Sequence, residues 1–167
     1  GSGLIQLNAG KAITLGKLST TNANNLNITS TSGAVIDGGD SPVDIDAPNG
    51  HVVISAQGGI GSSNTLEMNV KSVHLTNVGS GAVALENNGP LTVKRIAQSA
   101  AGQVTVHTLN GAIEVASDGI TAHTEAVNLY AGGQSDGGLN IQGAIITANG
   151  NLQLTTDSGD VVLGAGL

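Results

Sequence analysis

Short runs of alternating apolar residues recur along this chain at intervals of roughly 21–25 residues, and this interval constrains the fold more than any other feature. Leu26 follows Ile5 by 21 residues, Val35 follows Ile13 by 22, Leu66 follows Val43 by 23 and Val73 follows Val52 by 21. Further on, Val104 follows Val83 by 21, Ile113 follows Leu91 by 22 and Val127 follows Val104 by 23. Alternation at period two is the mark of a strand with one buried face. A repeat holding two or three such strands cannot bury its apolar face alone, so successive repeats must stack.

The alternating units are Ile5–Ala9, Ile13–Leu15, Leu26–Ile28, Val43–Ala47, Val52–Ala56, Leu66–Val70, Val73–Leu75, Val83–Leu85 and Leu91–Val93. Val104–Val106, Ile113–Val115, Val127–Leu129, Leu139–Ile141, Leu152–Leu154 and Val161–Leu163 continue the series. Gly, Asn, Asp or Ser separates nearly all of them, the residues that tolerate turn conformations. No stretch shows a sustained helical period. The chain of 167 residues has no Phe or Trp and one Tyr, Tyr130, although 39% of it is hydrophobic. A core of aliphatic side chains suits a narrow interior of constant cross-section, whereas sandwiches draw on aromatic bulk. The expected fold is therefore all-β: a single right-handed parallel β-helix of about seven coils spaced ~4.8 Å apart, with essentially no α-helix. Two β-sandwich modules of ~80 residues are the alternative. Gly1–Gly3 read as an expression-derived edge, and residues 4–167 as one repeat segment.

Twelve acidic against five basic residues give a formal charge of −7, and Lys94-Arg95 is the one adjacent basic pair. Nucleic-acid binding, which begins with a basic patch, is not expected. The absence of cysteine removes disulfides, thiolate metal sites and a cysteine nucleophile. No run approaches the ~18 apolar residues of a membrane span, and no signal-peptide pattern is present.

The phrase Gly50-His51-Val52-Val53-Ile54-Ser55-Ala56-Gln57-Gly58-Gly59-Ile60-Gly61-Ser62-Ser63 resembles the repeats of filamentous haemagglutinin-type exoproteins, as do Asn110–Val115 and Asn149–Thr155. The resemblance implies a right-handed β-helix shaft at the surface of, or secreted from, a Gram-negative bacterium, with a role in adhesion or contact between cells. The secretion domain of that family carries Asn-Pro-Asn-Gly. Ala47-Pro48-Asn49-Gly50 departs from it at the first position, which favours repeat shaft over secretion domain. The implied partners are neighbouring repeats of a longer chain and a glycan or protein on a cell surface, without membrane insertion.

Candidate chemistry centres on Asp37, Asp40, Asp44 and Asp46. With Val43 and Ile45 pointing inward, Asp44 and Asp46 are expected to share the outward face, and the repeat places Glu67 one coil from Asp44. The first reading is a solvated acidic face that discourages lateral pairing. The alternatives are calcium, held by these four aspartates as oxygen ligands, and the acid–base chemistry of a carbohydrate-active β-helix enzyme. No catalytic residue, cofactor or metal centre is expected, and the preferred function is a structural or adhesive shaft. His51, His74, His107 and His123 do not fall into one column and read as surface residues, with His74 and His107 beside inward positions. His123-Thr124-Glu125 matches a zinc-deaminase element but lacks its cysteines. Lys94-Arg95 reads as a solvated strand-end pair. Thr29-Ser30-Thr31 resembles an ice-binding ladder that does not recur.

Overall fold

The computed structural model describes residues 3–39, 42–134 and 137–164. Seventeen strands follow one another: β1 (Ile5–Ala9), β2 (Ile13–Leu15), β3 (Leu18–Ser19), β4 (Asn25–Ser30), β5 (Val35–Asp37), β6 (Ile45–Ala56), β7 (Leu66–Asn77), β8 (Val83–Asn87) and β9 (Leu91–Gln98). They continue as β10 (Val104–Thr108), β11 (Ile113–Val115), β12 (Ile120–Ala122), β13 (Val127–Ala131), β14 (Leu139–Ile141), β15 (Ile145–Thr147), β16 (Leu152–Thr156) and β17 (Val161–Leu163). No helix occurs among the described residues. Every strand pairs in parallel with its equivalents one coil away, giving a β-solenoid of about seven turns.

The register realises the sequence interval. On one wall the column runs Ile5, Leu26, Val52, Val73, Val93 and Val115. On the other, Val83, Val104, Val127 and Leu152 stack, with Ile60 and Val35 continuing the column below them. From coil two to Ile141 the inward side chains are almost wholly sealed from solvent: Leu26, Val52, Val73, Leu85, Val104, Ile113 and Val127 are all buried. Stacked aliphatic ladders of this kind fill a slot about one side chain deep, which explains how the chain does without Phe or Trp.

Corners of the coil are held by buried polar side chains. Asn77 accepts from the Gly59 N–H at 2.9 Å and donates to the Gly79 and Gly81 carbonyls and to Gln98 Oε1. Asn87 accepts from Val70 N–H at 2.9 Å and donates back to the Val70 carbonyl. Thr108 Oγ1 donates to the Gly111 carbonyl, and Thr156 repeats the contact with Gly159. These residues satisfy backbone groups that leave the ladder at each bend.

Four details depart from the sequence reading. Strands β3, β12 and β15 were not marked by alternation, since each offers at most one apolar pair. From Ile45 onward the alternating units Val43–Ala47 and Val52–Ala56 run together as one strand, β6, whose register against β7 shifts between Ala47 and His51. Lys94-Arg95 lies inside β9 rather than at a strand end. Val73 pairs with Val93 while His74 pairs with Arg95, so Lys94 is an extra residue in a β-bulge and both charged side chains face solvent. Ser30 of the Thr29–Thr31 stretch is buried, its hydroxyl bonded to the Lys11 carbonyl and accepting from Gly33 N–H.

Candidate functional site

The wall formed by β8, β10, β13 and β16 is straight, but its two preceding coils are interrupted at the same place. In one, β5 ends at Asp37 and the wall resumes at Asp44. In the next, Ile60 pairs with Val83, the chain detours through Gly61–Thr65, and the wall resumes at Leu66 opposite Leu85. The interruptions bring Asp37 and Asn64 together, and the Asn64 amide donates to Asp37 Oδ2. Asp37 Oδ1 also accepts from the Gly39 N–H at 2.6 Å.

Asp44 resumes the wall and joins this group. Its N–H donates to the Glu67 carbonyl at 2.8 Å, and Glu67 N–H donates to Asp44 Oδ2 at 3.0 Å. The ligating oxygens of Asp37, Asp44 and Glu67 all lie within 4.8 Å of one another. Asp44 is fully buried, and its Oδ1 has no hydrogen-bond donor. Burial first, and then the facing carboxyl of Asp37, push its pKa up to about 7.

This corrects the expected arrangement. Asp44 does not share an outward face with Asp46, because strict alternation fails at the corner where β6 begins. Asp44 and Ile45 are both buried, whereas Val43 is only half-buried. Asp46 does face outward, where it accepts from the Asn69 amide at 2.9 Å. Asp40 lies outside the described residues. The placement of Glu67 one coil from Asp44 holds.

From Glu67 a polar column climbs the outer face of the wall. Glu67 pairs in register with Glu86, Glu86 with His107, and His107 with Tyr130. His107 Nδ1 lies 2.8 Å from Glu86 Oε2, within hydrogen-bond distance. The imidazole packs on the Tyr130 ring with centroids 4.7 Å apart and planes tilted by 38°. The Tyr130 hydroxyl donates to Asp157 Oδ1, and Gly133 N–H donates to Oδ2 at 3.1 Å. These bonds hold the Asp157 carboxyl below its usual range, the tyrosine contact contributing most, and the same contact raises the Tyr130 hydroxyl. The signal for this column was present in the spacing: 86, 107 and 130 differ by 21 and 23, one coil each. Comparing histidines only with other histidines misses it.

The remaining histidines stand apart. His51 Nδ1 is 2.6 Å from Ser72 Oγ, and burial, followed by Lys94 and Lys71, lowers its pKa. His74 pairs in register with Arg95, and His123 is exposed.

A shallow cavity of about 210 Å³ adjoins the acidic group, lined by Pro42, Val43, Glu67, Glu86, Asn88 and Leu109 among others. Ligand sites for organic molecules usually offer ~300–1,000 Å³. A larger indentation of about 330 Å³, beside Leu139 and Val162, carries Asp160 as its one ionisable residue. Glycoside hydrolysis sets two carboxyl groups ~5–5.5 Å apart with retention or ~6.5–9.5 Å apart with inversion, both open to the sugar in a groove. The closely packed oxygens here, with Asp44 sealed from solvent, fit a centre that holds a proton or an ion better than one that reaches a sugar.

Fold and site together define a parallel β-solenoid with an acidic cluster in its wall and a polar column above it. No protein-family model, curated protein or solved structure matches the chain.

Proposed function

We propose that this solenoid is a structural and adhesive shaft section of a larger surface or secreted protein, supplying length and rigidity and presenting its outer column to a cell-surface glycan or protein. The observation that carries this reading is the constancy of the aliphatic columns from coil to coil: Leu26, Val52, Val73 and Val93 on one wall, and Val83, Val104 and Val127 on the other, stack in register and are all sealed from solvent. A core of this form repeats one narrow cross-section along its length, which is what a shaft requires.

The haemagglutinin-type resemblance of Gly50–Ser63 supports the same reading and with it a Gram-negative surface location. The test is incubation with a panel of acidic and neutral polysaccharides, followed on a glycan array and by assay for new chain ends. Retention on a glycan without cleavage, or on none, is the expected result. Release of new reducing or unsaturated ends would replace the shaft with a carbohydrate-active enzyme.

A further inference from the structure

We propose that Asp37, Asp44 and Glu67 form a calcium site that ties the two interruptions of the wall together. When ionised the three carboxylates donate nothing; their donors are the Asn64 amide, the Gly39 N–H and the Glu67 N–H, and no basic side chain pairs with any of them among the described residues. Asp44 Oδ1 is buried without a donor, so something must occupy the space between it and its neighbours. A cation held by all three carboxylates would fill that space.

Coordination chemistry favours calcium. Two ligands of one calcium ion are separated by at most ~4.6–5.2 Å, and the three oxygens, all within 4.8 Å of one another, can share it. Calcium tolerates irregular carboxylate cages, whereas magnesium demands near-ideal octahedral geometry and keeps several waters. The detour Gly61–Thr65 is fastened to Asp37 through Asn64, so an ion here fixes both interrupted coils. The side chains facing Asp44 are the carboxyls of Asp37 from β5 and Glu67 from β7, beside the Glu67 N–H that donates to its Oδ2.

The test is isothermal titration of calcium chloride into the whole protein at pH 7.5, beside thermal unfolding in calcium, magnesium or a chelator. One calcium should bind with a Kd near that of extracellular modules, ~0.1–1 mM. At about ten times Kd the midpoint should rise by about 3–6 °C. The shift, rather than the absolute stability, is read in Asp44→Asn and in Glu67→Gln, a half-buried position. It should vanish in the first, fall sharply in the second and persist in Asp46→Asn. No calcium-dependent shift in the parent protein, an equal shift with magnesium, or the same shift in Asp44→Asn as in Asp46→Asn would each overturn the assignment.

Discussion

A single buried carboxyl gives this molecule a distinct pH dependence. Asp44 has a folded-state pKa of about 7 against 3.8 for the free side chain, so the folded chain holds a proton that the unfolded chain releases. Its contribution is fully present below pH 3.8, and it is lost as pH rises from there through about 7. One such proton changes stability by at most about 1.4 kcal/mol per pH unit. Asp157, whose pKa is lowered, acts in the opposite sense and only below the ordinary carboxylate range. Urea unfolding at several pH values in chelator should therefore show stability falling from pH 4 to 7, and Asp44→Asn should flatten that slope. An unchanged slope in the variant would mean that Asp44 is not the group responsible. Buried amides are equally exacting: Asn77→Ala strips partners from the Gly59 N–H, two glycine carbonyls and Gln98 Oε1. Unpaired buried groups cost ~1–3 kcal/mol each, so a loss of at least about 2 kcal/mol is expected in chemical denaturation.

At the scale of the element, straight strands were legible in the sequence and corners were not. Val83–Asn87 and Val104–Thr108 alternate cleanly because each lies on a flat wall with one face inward. Leu18–Ser19 and Ile145–Thr147 are too short for alternation to register, and pairing with the adjacent coil defines them. The same limit explains Asp44: a period of two predicts direction only within a strand, and this residue sits where the wall resumes. Spacing did carry the adjacency of Asp44 and Glu67, since coil length survives a corner even when side-chain direction does not. The interruptions depend on backbone conformations open chiefly to glycine. Gly61 has φ +65°, and a Cβ there would lie 2.2 Å from the Ala84 carbonyl oxygen. Gly61→Ala should cost ~1–3 kcal/mol or more and weaken calcium binding by loosening Asn64. Gly89→Ala, with nothing within 4 Å and no positive φ, should be tolerated. Equal thermal shifts in the two variants would remove the strained turn from the account.

For the whole molecule, the properties that make a solenoid extendable also make its ends adhesive. Strands within the stack are paired above and below, but β15, β16 and β17 each pair on one side among the described residues. Beside those free edges Ile146, Val161, Val162 and Leu163 are exposed, and Ile141, Ile145, Leu152, Leu154 and Leu163 line an apolar hollow of about 150 Å³. Parallel edges with apolar flanks are templates for another chain, and here the best-fitting template is another coil of the same cross-section. Exposed aliphatics of this size contribute roughly 1.5–3 kcal/mol each when fully covered, enough for a few of them to offset the entropy of weak association. Sedimentation velocity at rising concentration should show end-to-end dimers whose frictional ratio increases with mass, as rods joined lengthwise require. Leu163→Lys, which places a charge over the hollow, should shift that equilibrium toward monomer without lowering the thermal midpoint of the monomer. Thr121→Lys, on an exposed outward-facing site one coil inside the end of the stack, should leave association unchanged. If Thr121→Lys reduced association as much as Leu163→Lys, the contact would be lateral, and the open ends would not be the surface through which the shaft extends.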